Sequence, residues 1–217
     1  MDKAPLVWYF DFISPFSYLQ WQKLKPLLRE FERDGTPVQL VPIVFAAVLD
    51  ACGQKGPAEI TGKREFTYRH VLWLARQQGV PLRFPPAHPF NPLAALRLSI
   101  AAGNTPEAVD SIYDWLWAQG RSGDSMEALV PLMAVLNVPA EDLDAAPTKA
   151  ALRANTDAAI AAGVYGVPTL SVRGELFWGN DAHDFALATL REPAVLEDAE
   201  MQRVSQLPVG LQRRRCP

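Results

Sequence analysis

The chain has 217 residues, enough for one large domain or two small ones, since single domains usually run to about 100–200 residues. Its composition is 49% hydrophobic and 21% charged, which excludes wholesale disorder and collagen-like repeats and indicates a packed core. The net charge of −3 gives no general attraction to phosphate backbones, and the basic run at residues 213–215 is short and terminal. We therefore expect no nucleic-acid partner.

The two cysteines, Cys52 and Cys216, stand far apart and outside any CxxC or Cys/His cluster. This spacing predicts neither a disulfide framework nor a bound metal, and it is typical of a reduced compartment. The first apolar run is short and is broken by Asp11, so we expect no cleavable signal, no transmembrane span and no membrane partner. These features together predict a cytoplasmic protein.

The first predicted unit is a strand, a helix and a second strand. Residues 6–13 are apolar and rich in β-branched and aromatic types, and they stop at Ser14 and Pro15, a typical N-cap and first helical residue. Apolar residues then recur at helical spacing up to the breakers at 34–37, and residues 38–44 predict a second buried strand. Because such a unit forms a right-handed crossover, the two strands should be parallel neighbours.

The middle of the chain, residues 45–163, has a helical pattern and no further strand signal. A proline-rich segment at 81–92 is too short to link independent domains and predicts an ordered loop. The predicted helices cover residues 63–78, 92–102, 106–119, 125–136 and 140–162.

Strand signals return near the end of the chain. Residues 167–173 and 175–177 flank Gly174 and predict a tight hairpin, and Asp181 followed by Asp184 resembles a capping box that opens a last helix.

This order predicts an α/β fold, a thioredoxin-like sheet (βαβ…ββα) with a large all-helical insertion. The predicted boundaries are a discontinuous sheet domain at 1–44 and 164–195, an insertion at 45–163 and a tail at 196–217.

Ser14 is the first candidate site residue. A hydroxyl at a helix N-terminus meets unpaired backbone N–H groups and the positive end of the helix dipole, a setting that stabilises an anion such as a thiolate. The alternative is plain N-capping, which Ser-Pro commonly provides. No G-x-S-x-G motif surrounds Ser14, so a serine hydrolase is not indicated.

Two further segments and the histidines have equally ordinary alternatives. Residues 163–169 place a proline after a glycine-containing turn, where the bond before it is either cis or, more commonly, trans. Residues 178–181 could simply cap a helix. The three histidines have no carboxylate partner at ligand spacing and are expected to be structural or at the surface: His70, His88 and His183. On their helix, Tyr113, Trp115 and Trp117 are expected to be core or interface anchors.

Taken jointly, three motifs resemble the 2-hydroxychromene-2-carboxylate isomerase family, which is similar to kappa-class glutathione transferases and to the DsbA-type thioredoxin branch. The motifs are YFDFISPFSYL at 9–19, GVYGVPT at 163–169 and FWGND at 177–181. The resemblance runs from about residue 6 to residue 190. It implies that Ser14 replaces the first redox cysteine, and because Phe16 and Ser17 continue the motif without a thiol, disulfide exchange is excluded.

The resemblance also implies glutathione as the cofactor, with Ser14 hydrogen-bonding its thiolate. Val167, before a cis Pro168, would pair its backbone with the extended tripeptide. The negative Asp181 would suit the ammonium group at the γ-glutamyl end. The implied glutathione-binding residues are Ser14, Val167, Pro168, Gly179, Asn180 and Asp181.

The implied reaction interconverts 2-hydroxychromene-2-carboxylate and trans-o-hydroxybenzylidenepyruvate, or a related aromatic-degradation intermediate. The thiolate adds to a conjugated carbon, which lets a double bond rotate before elimination. The substrate carboxylate needs a cation or an amide; Lys63, Arg64, Arg69 and Asn91 are the candidates, with Lys63 and Asn91 preferred. Family precedent and the apolar insertion predict a homodimer.

Two alternatives remain open at this point. A kappa-type glutathione transferase or peroxidase would use the same cofactor site on a different electrophile or hydroperoxide. A catalytically silent thioredoxin-like binding module would use the groove beside Pro168 for a peptide or another small ligand.

Overall fold

A four-stranded mixed sheet has helices packed on both of its faces in a computed structural model that describes residues 6–211. Its strands are β1 (Leu6–Phe10), β2 (Val38–Pro42), β3 (Thr169–Val172) and β4 (Glu175–Trp178), in the spatial order β2-β1-β3-β4. β1 and β2 are parallel, as the crossover rule predicts, whereas β1–β3 and β3–β4 are antiparallel. The predicted thioredoxin-like arrangement is confirmed.

The helix after β1 begins as predicted and is interrupted sooner. Ser14 is the N-cap of α1 (Pro15–Leu24), and a short 3₁₀ turn (Lys25–Leu27) leads into α2 (Leu28–Arg33). Pro26 lies in that turn, and because proline has no N–H, the α-helical hydrogen bonding changes there. The predicted single helix is therefore two helices in nearly continuous line.

Between β2 and β3 the described chain contains helices and loops only. The sequence missed α3, and the predicted helix at 140–162 is two helices that meet at the extended Ala145, just before Pro147. The helix predicted over 106–119 ends in a π-helical turn, Asp114–Ala118. The helices are α3 (Phe45–Ala51), α4 (Lys63–Gln77), α5 (Leu93–Ala101), α6 (Pro106–Tyr113), α7 (Met126–Leu136), α8 (Ala140–Asp144) and α9 (Ala146–Ala161).

The predicted hairpin is present with a shorter first strand. β3 starts at Thr169 and not at residue 167, because the segment before it turns at Pro168. Arg173 and Gly174 form the two-residue turn, with φ angles of 55° and 93°. A left-handed conformation at both central positions is what a two-residue hairpin requires.

The end of the described chain departs from the prediction. α10 (His183–Arg191) has Ala182 at its N-cap without a side-chain cap, so the predicted capping box of Asp181 and Asp184 is wrong. A further helix, α11 (Ala199–Ser205), lies in the segment expected to be a tail and is capped by Asp198.

Two clusters of buried side chains pack against opposite faces of the sheet, and the larger one joins β1 to the helical block. Trp8 and Phe10 of β1 stack with a centroid distance of 4.4 Å, and both contact Tyr113 of α6. The Trp117 indole N–H donates to the Phe12 carbonyl at 2.8 Å, so two of the three predicted aromatic anchors, Tyr113 and Trp117, lie in the core, whereas Trp115 is half-buried. We propose that residues 45–163 are an insertion packed against the sheet.

No helix within residues 6–211 has the length and apolarity needed to cross a bilayer. The basic residues 213–215 and Cys216 lie outside the described residues. Cys52 is exposed and has a free thiol.

Candidate functional site

A cavity of about 960 Å³ opens where β1 ends and α1 begins, between the sheet and the helical block. Such a volume lies at the upper end of the range for small-molecule sites. The structure brings nearly all of the predicted site residues into its wall: Ser14, Asn91, Val167, Pro168, Gly179, Asn180 and Asp181.

Lys63 is the exception, because it does not line the cavity as the prediction requires. It is exposed at the first position of α4, one turn before Thr67, the first residue of that helix to line the cavity. Arg64 donates to the His88 carbonyl at 2.7 Å, and Arg69 faces Glu65 on the exposed side of the helix. Neither arginine lines the cavity.

Ser14 is both a helix cap and a potential donor. Its side chain is buried, and Oγ accepts the Ser17 N–H at 3.2 Å while the Ser14 N–H donates to the Asp11 carbonyl at 3.1 Å. Capping uses only a lone pair, so the hydroxyl proton remains available to a ligand in the cavity. The N-terminus of α1 adds favourable potential for an anion at this point.

Asp11, which the sequence did not single out as a site residue, fixes the turn from below. Its fully buried carboxyl accepts the Ile13 N–H at Oδ1 (3.0 Å) and the Phe45 N–H at Oδ2 (2.9 Å). Loss of hydration on burial raises the pKa of Asp11 to about 7, against the opposing effect of these backbone donors. The carboxyl thus links the turn before Ser14 to the start of α3. The sequence signal that could have identified Asp11 is an acidic residue directly after an apolar strand.

His88 fixes the same turn from the side of the insertion. Its Nε2 lies 2.9 Å from the Ile13 carbonyl, which only accepts, so Nε2 carries the proton and Nδ1 can accept from the Tyr68 hydroxyl 2.6 Å away. Burial is the main cause that lowers the pKa of His88 and favours this neutral form. The sequence predicted a structural or surface histidine; the structure places it in the cavity wall, before a cis bond to Pro89.

The segment before β3 presents free backbone groups to the cavity. The Val167–Pro168 peptide bond is cis, as the resemblance predicts. Within residues 6–211 the amide and carbonyl of Val167 make no hydrogen bond, whereas the Pro168 carbonyl accepts from the Gly179 N–H at 2.8 Å. Since buried backbone groups are nearly always paired, Val167 fits an extended peptide ligand better than an empty groove.

The loop after β4 is held by side chains of the sheet and α1. The Gln20 amide donates to the Gly179 carbonyl at 2.9 Å and accepts the Trp8 indole N–H at 2.6 Å. Lys23 donates to the Asn180 carbonyl at 3.2 Å. Asn180 is 5% exposed, and its Oδ1 has no partner among the described residues. This oxygen has almost no accessible surface, so it lies behind the cavity wall.

The other half of the cavity is mainly apolar and comes from α1, the helical block and its proline-rich loop, and Asp50, Gln54 and Glu59 also line it. His70 lines it too, stacked between the exposed Phe66 and Trp73 of the same helix. Among the described residues, no lysine or arginine lines this half. Nor does the described chain hold a cluster of three His, Cys, Asp or Glu residues suited to a metal. Its apolar wall consists of Phe16, Val44, Phe45, Leu49, Leu74, Phe90 and Leu93.

Comparison with known proteins agrees with this architecture. The family model described as the DsbA-like thioredoxin domain matches residues 6–191, which defines the class of protein. A solved structure of 2-hydroxychromene-2-carboxylate isomerase superposes with a TM-score of 0.74 at 24% identity, covering 91% of this chain and 99% of that one. This likeness confirms the fold.

Two curated relatives narrow the class. The 2-hydroxychromene-2-carboxylate isomerase of Pseudomonas putida is 32% identical over 80% of this chain and 87% of its own length. Glutathione S-transferase kappa 2 of Caenorhabditis elegans is 26% identical over 87% of each chain. Within the DsbA-like class, the chain belongs to the 2-hydroxychromene-2-carboxylate isomerase family. These relatives support an enzyme of the isomerase or glutathione-transferase type.

Proposed function

We propose that this protein is a glutathione-dependent isomerase that interconverts 2-hydroxychromene-2-carboxylate and trans-o-hydroxybenzylidenepyruvate, or a closely related aromatic-degradation intermediate. One juxtaposition carries the proposal. The Ser14 hydroxyl, at the N-terminus of α1, lies in the wall of the same cavity as the unpaired backbone of Val167 and the acidic Asp181, and an apolar wall faces them.

The polar half suits glutathione in three respects. The free N–H and C=O of Val167 match the backbone of an extended tripeptide. Ser14 and the helix N-terminus suit a thiolate at its centre, since both favour negative charge. The loop at Gly179, Asn180 and Asp181 offers the Asp181 carboxylate to a ligand ammonium group.

When bound, glutathione supplies the thiolate that adds reversibly to a conjugated carbon of the substrate. The residues of the chain position and stabilise. Ser14 donates its hydroxyl proton toward the sulfur and favours its anionic form, and each unit by which the thiol pKa falls is worth about 1.4 kcal/mol of preference for the thiolate. Asp11 and His88 hold the Ser14 turn in place through Ile13.

The apolar half receives the aromatic part of the substrate and excludes water from it. Asn91 is the candidate for the substrate carboxylate on this side. Its Oδ1 accepts the Leu93 N–H at 3.1 Å, which leaves the amide NH₂ as a donor directed away from that turn. No lysine or arginine of the described chain lines this half, so Asn91 takes the role predicted for Lys63.

The proposal is tested by following interconversion spectrophotometrically in enzyme freed of small molecules by gel filtration. We expect turnover only after glutathione is added, and inhibition by S-methylglutathione, which keeps the peptide but lacks a free thiol. Turnover of equal rate without glutathione would contradict the proposal, as would no turnover in its presence.

A second candidate, conjugation or peroxide reduction of the kappa type, is favoured by one observation: the apolar wall lacks lysine and arginine, which suits a neutral electrophile. The same preparation is therefore assayed with 1-chloro-2,4-dinitrobenzene and with cumene hydroperoxide. Conjugation or peroxide reduction without isomerisation would replace the first proposal by this one.

We also propose that the protein is a homodimer, supported by the exposed aromatic residues Phe66 and Trp73 on the insertion. A sedimentation mass near that of one 24.0 kDa chain would contradict it.

A further inference from the structure

Lys23 is the one lysine or arginine of the described chain that lines the cavity. It lies in the last turn of α1, half-buried, and its Nζ donates to the Asn180 carbonyl at 3.2 Å. A sequence interpretation gives it no role, because a basic residue in the last turn of a helix is commonplace. Its position beside the loop at 179–181 is a product of the tertiary fold.

The positive charge of Lys23 has no counter-ion within the described chain. No carboxylate of residues 6–211 lies within ion-pair distance of its Nζ, in contrast to Lys25 one half-turn on, which pairs with Asp110 at 2.9 Å. An ammonium group has three donors, and the Asn180 carbonyl uses one. Two donors and the whole charge remain for a ligand.

The neighbouring buried histidine, His183, is not a hydrogen-bond partner of Lys23 either. His183 is 3% exposed and its Nδ1 has no hydrogen-bond partner among the described residues. Burial first, and the Lys23 charge second, lower the pKa of His183, while the Asp184 carboxylate acts in the opposite direction. Lys23 is therefore the cation of this corner of the cavity, and it is not part of an ion pair within the described chain.

The opposite charge lies next along the wall, where Asp181 brings a carboxylate to the same cavity. A cation and a carboxylate in neighbouring parts of one wall match the two charged groups of an α-amino acid, a carboxylate and an ammonium on one carbon.

We infer that Lys23 binds the free α-carboxylate of the γ-glutamyl group of glutathione, while Asp181 receives its α-ammonium. The inference rests on the proposed use of glutathione and deepens it. These contacts would make the protein selective among thiols. A thiol that carries a terminal α-amino acid binds with both of its charges paired, whereas a thiol without one leaves Lys23 unpaired.

A purely structural role for Lys23 is the competing explanation, since its hydrogen bond to Asn180 also steadies the loop. The two roles differ in what they do to analogues. Loss of a loop contact weakens every peptide that uses the loop, whereas loss of a carboxylate partner weakens only the peptides that have that carboxylate.

The test measures binding by isothermal titration calorimetry with two peptides: glutathione, and 4-aminobutyryl-cysteinyl-glycine, which lacks only the α-carboxylate. For Lys23→Met we expect the Kd for glutathione to rise about 10- to 100-fold, the usual loss for a charged ligand contact, and the Kd for the analogue to stay within twofold. Lys23→Arg should retain binding within several-fold, because it keeps the charge. Lys149→Met, which removes an exposed lysine of α9 outside the cavity, serves as the matched control.

Three outcomes would overturn the inference. Equal glutathione affinity in wild type and Lys23→Met excludes the carboxylate contact, and equal losses for both peptides assign Lys23 to loop structure instead. If the wild-type protein binds neither peptide at millimolar concentration, the inference and the proposed use of glutathione fail together. If the wild-type protein binds glutathione and Lys23→Met binds it with equal affinity, the proposed function stands and only this inference fails.

Discussion

The two halves of the cavity are built from different material. The polar half consists of backbone groups, short polar side chains and helix ends at the margins of the sheet, at Ser14, Val167 and residues 179–181. The apolar half consists of large side chains from helices and a loop that are far apart in sequence. A substitution changes a side chain and leaves the backbone groups in place. The polar half therefore suits a ligand that is the same for every relative, whereas the side chains of the apolar half can differ from one substrate to another.

The two halves meet at the Ser14 turn, and two titratable groups fix that meeting point. Asp11 joins the turn to α3, whose first residue, Phe45, belongs to the apolar wall, and His88 joins it to the proline-rich loop. Burial raises the pKa of the acid and lowers the pKa of the base, so both groups favour their neutral forms. Geometry in both halves therefore depends on these two residues.

The largest effect should come from Ser14→Ala, which removes a donor from the polar half. We expect kcat/KM to fall about 100- to 1,000-fold, the usual loss for one donor to a developing anion, and stability to fall by about 1 kcal/mol through the lost cap. Steady-state kinetics and thermal melting measure the two quantities separately.

Ser125→Ala is the matched control for this variant. Ser125 caps α7 by the same bond, its Oγ accepting the Ala128 N–H at 3.3 Å, and it does not line the cavity. It should lose similar stability and keep full activity. Similar activity in both variants would show that Ser14 acts only as a cap, and the polar half would lose its reactive centre.

Asp11→Asn should change how stability depends on pH. The folded-state pKa of Asp11, about 7, lies above its ordinary value of 3.8, so the folded state binds the proton more tightly and the contribution of Asp11 to stability is full below about pH 4. It is lost as the pH rises toward and through 7. Between pH 5 and pH 8 the free energy of unfolding of the wild type should fall by about 2–3 kcal/mol relative to Asp11→Asn.

Urea unfolding at the two pH values measures this difference, and Asp157→Asn, at an exposed acid of α9, provides the control. The sign for His88 is opposite: its pKa is lowered in the folded state, so its contribution is present above the ordinary value of 6.5 and is lost as the pH falls. Parallel pH profiles for wild type and Asp11→Asn would show that the buried acid is not what couples the two halves.

The polar half could be predicted from the sequence because its three motifs are short and local. Alone, Ser-Pro predicts only a helix start, and residues 163–169 favour a trans bond before Pro168. The ligand role of Ser14 and the cis bond were implied by the resemblance that the motifs carry together. The apolar half could not, because helical spacing shows which residues share a face and not what that face meets. Hence His88 was expected to be structural or at the surface, and Lys23 was missed. Lys63 was preferred in the insertion, although α4 turns it away from the cavity.

Phe90→Ala tests the apolar half by itself. Phe90 is partly buried in the cavity wall, and removing its ring should cost about 1–1.5 kcal/mol of contact with an aromatic substrate, so we expect KM for that substrate to rise about tenfold. The Kd for glutathione should stay within twofold. Phe185→Ala, which removes a partly exposed ring of α10 outside the cavity, should change neither value. Equal changes in KM and in the glutathione Kd would mean that the halves do not recognise separate ligands.

The smallest effect should come from Cys52→Ser. Cys52 follows α3 at its C-terminal cap, close in sequence to Leu49 and Gln54 of the cavity wall, and its thiol is exposed. Its backbone N–H donates to the Val48 carbonyl, and serine keeps that bond, so stability should change by no more than about 0.5 kcal/mol. Activity with glutathione should be unchanged, because in the proposed reaction the thiol comes from the polar half. The same result is predicted for Cys216→Ser, whose position lies outside the described residues. If Cys52→Ser abolished turnover while glutathione binding persisted, the reacting sulfur would be that of Cys52 and not that of glutathione. The apolar half would then supply the reacting group, contrary to the proposal.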